Sequence, residues 1–476
     1  MARHKRPNPG VPTANSTRCP ILKRLTTMAK RLIGGRSAAP SIEPKLEITP
    51  RKAHRISRND ISENALKVLY RLHKAGYEAY LVGGGVRDLL LSHQPKDFDV
   101  ATNATPEQIR KLFRNCRLVG RRFRLAHILF GRDIIEVATL RGHHAESSEK
   151  HARADDSGRL LRDNVYGSID EDAERRDFTV NGLYYDISDY SVRDYFGGMA
   201  DLKARRLRLI GDPATRYRED PVRMLRAVRF ATKLDFSIET HTAKPIPELS
   251  GLLSDIPAAR LFEETLKLFM AGKGLENFRL MREYGLFAPM FPMQDKLLNR
   301  DPDGKVLALI EAMMKNTDQR VAADKPVTPA FIYAALLWYV VDELAAKRRE
   351  RGMPEYDALT AAAGEAIGKQ CKTVSLPRRF TTPAMEIWQL QGRLEKRSGA
   401  RAFRIYEHPR FRAAYDFLLL RAEAEGGDLV DLARWWTQFQ DTDDQGRRQM
   451  VRALGNESGK RRRRPRRRKP QGKGAE

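Results

Sequence analysis

The chain has 476 residues and a formal charge of +26 at neutral pH. That excess is not spread evenly: residues 1–58 hold +12, residues 456–476 hold +8, and the 397 residues between them only +6. Length implies three or four domains. No run of eighteen apolar residues exists, which excludes a membrane-spanning helix. Three scattered cysteines (Cys19, Cys116 and Cys371) exclude a disulfide scaffold and suit free thiols in a reducing compartment.

In chain order, residues 1–58 are basic, proline-containing and without sustained pattern, and are expected to be disordered. Within them Ile21, Leu22, Leu25, Met28, Leu32 and Ile33 recur at helical spacing among Lys23, Arg24, Lys30 and Arg31. Two readings stay open there, a short amphipathic helix on an anionic membrane and a transient helix without a partner. No signal peptide is expected. From about 60 to 205 strand and helix patterns mix. Tyr77–Val82 reads as a strand, Gly83–Gly85 breaks it, and Val86–Ser92 reads as the start of a helix with Leu89 and Leu90 inward. Strand, glycines and helix let backbone N–H groups approach a phosphate, with Arg87 in the first helical turn; a tight turn with a surface arginine is the alternative.

Asp97 to Ala101 (DFDVA) alternates polar and apolar residues. On a strand Asp97 and Asp99 then face one way and Phe98 the other. Two carboxylates side by side repel unless a cation lies between them. Mg²⁺ accepts one or two carboxylates plus phosphates, and a metal pair can serve both oxygens of an in-line displacement. Ile134–Leu140 reads as another strand with a candidate third carboxylate, Glu136; an ordinary edge-strand acid fits equally. His143–Asn164 is polar and expected to be a mobile loop near the site. Arg175–Leu183 (RRDFTVNGL) places two arginines and Asp177 before a helix-like run, where a capping role for Asp177 or Thr179 is the structural alternative.

From about 206 helical signals dominate, as in Ala258–Met270 and Pro329–Leu344. Glu219–Phe230 (EDPVRMLRAVRF) reads as one helix with Pro221 in its first turn. Its Arg223, Arg226 and Arg229 share a face, either a solvated stripe or, with Glu219 and Asp220, groups for a base edge and phosphates. Trp435, Trp436 and Phe439 read as core rather than base-stacking residues. Lys460–Lys469 is a polyelectrolyte suited to RNA phosphates, with a solubilising or incidental tail as the alternative.

Taken together, LVGGGVRDLLL with DFD (81–99), RRDFTVNGL (175–183) and EDPVRMLRAVRF (219–230) resemble the class II nucleotidyltransferases, the family of bacterial poly(A) polymerases and CCA-adding enzymes. The resemblance is strongest over about 60–275. It implies an α+β chain: a nucleotidyltransferase head of the polymerase-β superfamily with a small mixed sheet (59–205), a helical neck with the nucleotide-recognition helix (206–275), a helical body and RNA-binding region (276–455), and a polybasic tail (456–476). By resemblance Asp97 and Asp99 are Mg²⁺ ligands and Asp177 is catalytic with them. Gly84 and Arg87 contact the triphosphate and Arg176 the nucleotide. Asp220, Arg223, Arg226 and Arg229 form a protein template for the base or hold its phosphates. Gly182 departs from the family's alanine or serine and is expected to loosen a helix slightly.

The core motifs do not separate poly(A) polymerase from CCA-adding enzyme. Tail charge favours varied RNA ends over one tRNA shape. The stretches 113–124, 162–169 and 408–416 look like the proteobacterial poly(A) polymerase branch. No His-Asp dipeptide occurs, so an appended phosphohydrolase domain is not indicated. The expected activity is Mg²⁺-dependent, untemplated addition of AMP from ATP to RNA 3′ ends. CCA addition is the alternative. A non-catalytic RNA-binding protein is more remote, since Asp97, Asp99 and Asp177 are all present. Expected partners are RNA 3′ ends, with RNA-decay proteins and the inner membrane surface as further candidates, for a monomer in the bacterial cytoplasm.

Overall fold

The computed structural model describes residues 45–120, 124–142, 152–154, 160–163 and 165–461, with backbone alone for 152–154, 160–163 and 455–461. The segment Ile21–Ile33, Cys19, and the tail beyond Arg461 lie outside the described residues. Cys116 and Cys371 are free thiols.

An eight-stranded sheet organises the first half, in the order β1 (Glu47–Thr49), β10 (Val192–Asp194), β9 (Leu183–Asp186), β2 (Ala79–Val82), β3 (Asp99–Thr102), β6 (Asp133–Thr139), β5 (Leu125–Phe130), β4 (Cys116–Val119). All neighbours are antiparallel except β3 and β6, which are parallel and in register from Asp99 opposite Glu136 to Thr102 opposite Thr139. Helix α1 (Glu63–Lys74) packs on β2, β3 and β6. Its buried Ala65, Val68, Leu69 and Leu72 recur at helical spacing, and the Ser62 hydroxyl accepts from the Ala65 N–H at 3.1 Å to cap it.

Order begins earlier than composition suggests. Glu47–Thr49 pairs with β10, and the Lys45 N–H donates to the Tyr195 carbonyl at 2.9 Å. Ile48 of this strand and Leu46 just before it are exposed, and the strand is held by its backbone, so it carries no apolar alternation to read. The polar segment 143–164 is not wholly irregular either: Ala152–Ala154 (β7) and Leu160–Asp163 (β8) form an antiparallel hairpin, and the rest of the segment lies outside the described residues.

Beyond β9 and β10 the chain is almost entirely helical. One buried apolar cluster runs from Ile56 to Leu420, so the sheet, the following helices and the long helix α8 (Pro329–Glu350) share a core. Helix α8 is long and apolar enough to cross a membrane by length and composition, unlike the reading from apolar runs. It is instead the centre of this core, buried from Ala334 to Val341, with the Trp388 indole donating to the Ala334 carbonyl at 2.9 Å. A second cluster gathers Leu390, Leu394, Ile405, Trp436 and Phe439; Trp436 is buried and donates to the Leu394 carbonyl at 3.0 Å.

Candidate active site

Asp97 and Asp99 are exposed on either side of buried Phe98, and Val100 is buried beyond them. Strand β3 starts at Asp99, so Asp97 belongs to the approach to the strand rather than the strand itself. Parallel pairing sets Glu136 directly beside Asp99. Partial desolvation, with the neighbouring Glu136 and Asp97 charges, pushes its carboxyl up to about 6, against the pull of Arg176. The other side of Glu136 meets the His127 imidazole at 3.3 Å. Among the described residues no three His, Cys, Asp or Glu side chains form a preassembled metal cage.

The glycine turn abuts these acids. Gly83 has φ +67°, which a side chain resists, and a Cβ there would come 3.3 Å from Nη1 of Arg176. Helix α2 (Gly84–Leu90) follows, with Gly85 packed over the Asp97 carbonyl. Arg176 is pinned from behind: its Nε donates to the Tyr184 hydroxyl at 2.8 Å and its Nη2 to Asp172 at 3.0 Å. Burial opposes its charge, but Tyr184 and Asp172 raise its pKa above the ordinary arginine value. Arg176, the predicted nucleotide-contacting arginine, lies against the Gly83 turn and its charge acts on Asp99.

Arg87 lies elsewhere than an open phosphate site. It is 2% exposed, its Nε and Nη2 donate to its neighbour Asp88 at 2.8 and 2.6 Å, and its Nη1 donates to the Asn181 side-chain oxygen at 2.6 Å. Asn181 in turn donates to Asp177 at 3.1 Å, and Arg226 donates to the other Asp177 oxygen at 2.7 Å. Asp88, Arg87, Asn181, Asp177 and Arg226 thus form one continuous polar chain from the glycine helix to α6 (Val222–Leu234). Burial would raise the Asp177 carboxyl, but Arg226 and the bonds from Asn181 and the Phe178 N–H hold it below the usual carboxylate range. Both Asp177 oxygens are thus committed to protein partners, Asn181 and the Phe178 N–H on one and Arg226 on the other. The run after Asp177 is no α-helix: Thr179–Asn181 is a single 3₁₀ turn and Leu183 opens β9, so Gly182 has no helix to loosen.

The motif 219–230 is also broken differently from its pattern. Pro213–Glu219 forms α5, Asp220 is extended (φ −148°, ψ 93°), and α6 begins at Val222. The residue before a proline is disfavoured in helical conformation, so Pro221 forces the break at Asp220. Asp220 thereby projects from a corner, where Arg260 of α7 (Ala258–Phe269) donates to it at 2.7 Å. Arg223 is bound to Glu219 at 2.9 Å and to the Arg216 carbonyl at 2.7 Å. Arg229 lies over the Phe230 ring, 4.0 Å from Glu264; burial and the adjacent Arg226 lower its pKa while Glu264 opposes. The arginine stripe is therefore mostly paired rather than solvated.

Two residues escaped the sequence reading. Arg260 carries no local motif. Arg216 donates to the carbonyls of Arg176 and Arg175 at 2.7 and 3.0 Å, satisfying the C-terminal end of α4 (Ile169–Arg175) and tying it to α5. The Asp212 cap and Pro213 at the start of α5 were the available signal for a separate helix there.

A mixed sheet presenting grouped carboxylates beside a glycine turn, followed by helices, defines a nucleotidyltransferase head with a helical C-terminal region. Comparison with known proteins narrows the class. Residues 79–208 match a poly(A) polymerase head domain, 235–298 a probable RNA and SrmB-binding site of polymerase A, and 351–470 the arginine-rich C-terminus of polymerase A. Poly(A) polymerase I of Salmonella typhimurium is 55% identical over 437 residues, covering 90% of this chain and 94% of that protein. That of Haemophilus influenzae is 51% identical, covering 83% and 88%. The chain belongs to the bacterial poly(A) polymerase I family. Its fold also resembles the crystal structure of Bacillus stearothermophilus CCA-adding enzyme in complex with CTP, at 25% identity and a TM-score of 0.52 over 79% of this chain and 82% of that one.

Proposed function

We propose that the chain adds AMP from ATP to RNA 3′ ends without a template, in the bacterial cytoplasm. The observation that carries this reading is the open face shared by Asp97, Asp99 and Glu136 beside the Gly83 turn, in a chain related over nine-tenths of its length to a poly(A) polymerase. The RNA 3′-hydroxyl attacks the α-phosphate of ATP, a new P–O bond forms, and pyrophosphate leaves with the electron pair of the broken bond.

The donor set fits Mg²⁺: oxygen ligands only, mutually repelling, and too few to complete a shell without water or phosphate. Asp97 and Asp99, with Glu136 as third candidate, would hold it. When bound it neutralises phosphate charge and eases loss of the hydroxyl proton. Gly83 and Gly84 let the triphosphate approach the backbone, and Arg176 holds it from the side. Arg87 stiffens the glycine helix from below. Asp177 acts as a positioning residue that fixes Arg226. The half-exposed Asp220–Arg260 pair presents an acceptor and donors at the corner where a base edge fits, with Arg223 and Arg229 framing it. Positioning and charge stabilisation supply most of such catalysis.

The test uses α-phosphate-labelled ATP and an RNA primer. Label should join the primer with stoichiometric release of pyrophosphate, and a 3′-deoxy primer should accept none. Label transfer to the blocked primer would contradict attack by the 3′-hydroxyl.

A further inference from the structure

A second concentration of positive charge lies in the C-terminal helices, outside the site just described. Arg393 is in the last turn of α9 (Arg378–Leu394), Lys396 follows in the loop, and Arg401 and Arg404 stand three residues apart on α10 (Ala400–Tyr406). These four cations line one cleft whose remaining lining residue, Ile405, is 3% exposed and belongs to the C-terminal apolar cluster. The cleft is thus anchored on packed helices. No carboxylate lines it. Among the described residues, none of the four cations is held in an ion pair or side-chain hydrogen bond, whereas neighbouring arginines are engaged. Arg410 binds Glu386 at 2.9 Å, Arg421 binds Glu425 at 2.9 Å, and Arg397 lies over the Trp435 ring at 5.3 Å.

Helix stability accounts for two of the four, Arg393 and Arg404, each in the last turn of its helix. Arg393, at a helix C-terminus, complements the helix dipole; Arg401, in a first turn, opposes it. Four exposed like charges around one cleft repel one another, and an anion from outside relieves that repulsion. Spread over α9, the following loop and α10, they suit a run of phosphates better than a single one.

We infer that this cleft binds the phosphate backbone of the RNA acceptor upstream of its 3′ end, as a site separate from the polybasic tail. The inference rests on RNA being the acceptor. Binding of the full-length protein to single-stranded RNA tests it without ATP. In the variant Arg393→Gln/Arg401→Gln/Arg404→Gln the slope of log affinity against log salt should flatten by about 2, at about 0.7 per phosphate contact on a single strand. In extension assays KM for a primer of about 30 nucleotides should rise about tenfold or more, because salt-dependent phosphate contacts are lost. The kcat, the KM for ATP and extension of a primer too short to span both sites should stay at wild-type values. An unchanged salt slope in a variant that melts like wild type overturns the inference, whatever the cleft does with an acidic protein. If the glutamine variant melts early, the triple lysine variant replaces it: retained slope supports the site, and a slope as flat as that of the glutamine variant overturns it. Wild-type protein that binds RNA with this slope but extends no primer would instead refute the transfer reading and leave the cleft standing.

Discussion

The arginines around the carboxylates and those of the C-terminal cleft carry the same charge in opposite surroundings. In the head and neck Arg87, Arg176, Arg223 and Arg226 each hold a named acid at 2.5 to 3.0 Å. In the cleft Arg393, Arg401 and Arg404 meet no acid among the described residues. Paired, half-buried arginines fix geometry and lose activity through misplacement. Unpaired, exposed ones leave geometry alone and act on whatever anion arrives, with strong salt dependence. One chain uses both modes: a rigid site for one nucleotide and a forgiving surface for a variable RNA.

The comparison can be broken most sharply at the acids. Asp99→Asn should lower single-turnover AMP transfer by about 10³-fold, the scale for losing preorganised charge at a transition state, with the melting curve unchanged because the side chain is exposed. Near-normal transfer would remove the carboxylates from the mechanism. Next comes the polar chain. Asp177→Asn leaves Arg226 without its anion, and since Arg226 is 31% exposed the loss should be about 2 kcal/mol rather than the roughly 3–5 of a fully buried pair. As a positioning residue, Asp177 should show its effect mainly as a raised KM for ATP; a kcat loss matching that of Asp99→Asn would return it to the catalytic group. Arg260→Ala, freeing Asp220, should raise the KM for ATP about tenfold, equivalent to roughly 1.4 kcal/mol, and weaken preference among nucleotides; unchanged nucleotide preference would separate Arg260 from base reading. Smallest of all, Arg300→Ala breaks an exposed pair with Glu343 and should leave melting and kinetics alike unmoved.

What was legible in the sequence follows from how far apart the cooperating residues lie. The alternation Asp97–Phe98–Asp99 is local, and the structure reproduces it in burial, with Asp97 just ahead of the strand. The Gly83 turn is local as well. The neighbouring of Asp99 and Glu136 depends on a parallel register between strands separated by β4 and β5, which no local pattern encodes. The bond from Arg87 to Asn181 spans 94 residues and that from Arg226 to Asp177 spans 49, so arginines that look solvent-facing in a helical pattern are internal ties. The break at Asp220 was readable from Pro221, but arginine spacing suggested a single continuous helix. Strand β1 escaped notice because backbone pairing alone holds it.

Nucleotide choice tests the central claim most directly. The protein is offered an RNA primer ending in neither a tRNA fold nor CCA, with ATP and CTP in competition. Repeated AMP incorporation with little CMP is the expected result. Efficient CMP incorporation, or addition confined to tRNA ends lacking CCA, would contradict poly(A) synthesis and favour CCA addition by the same carboxylates.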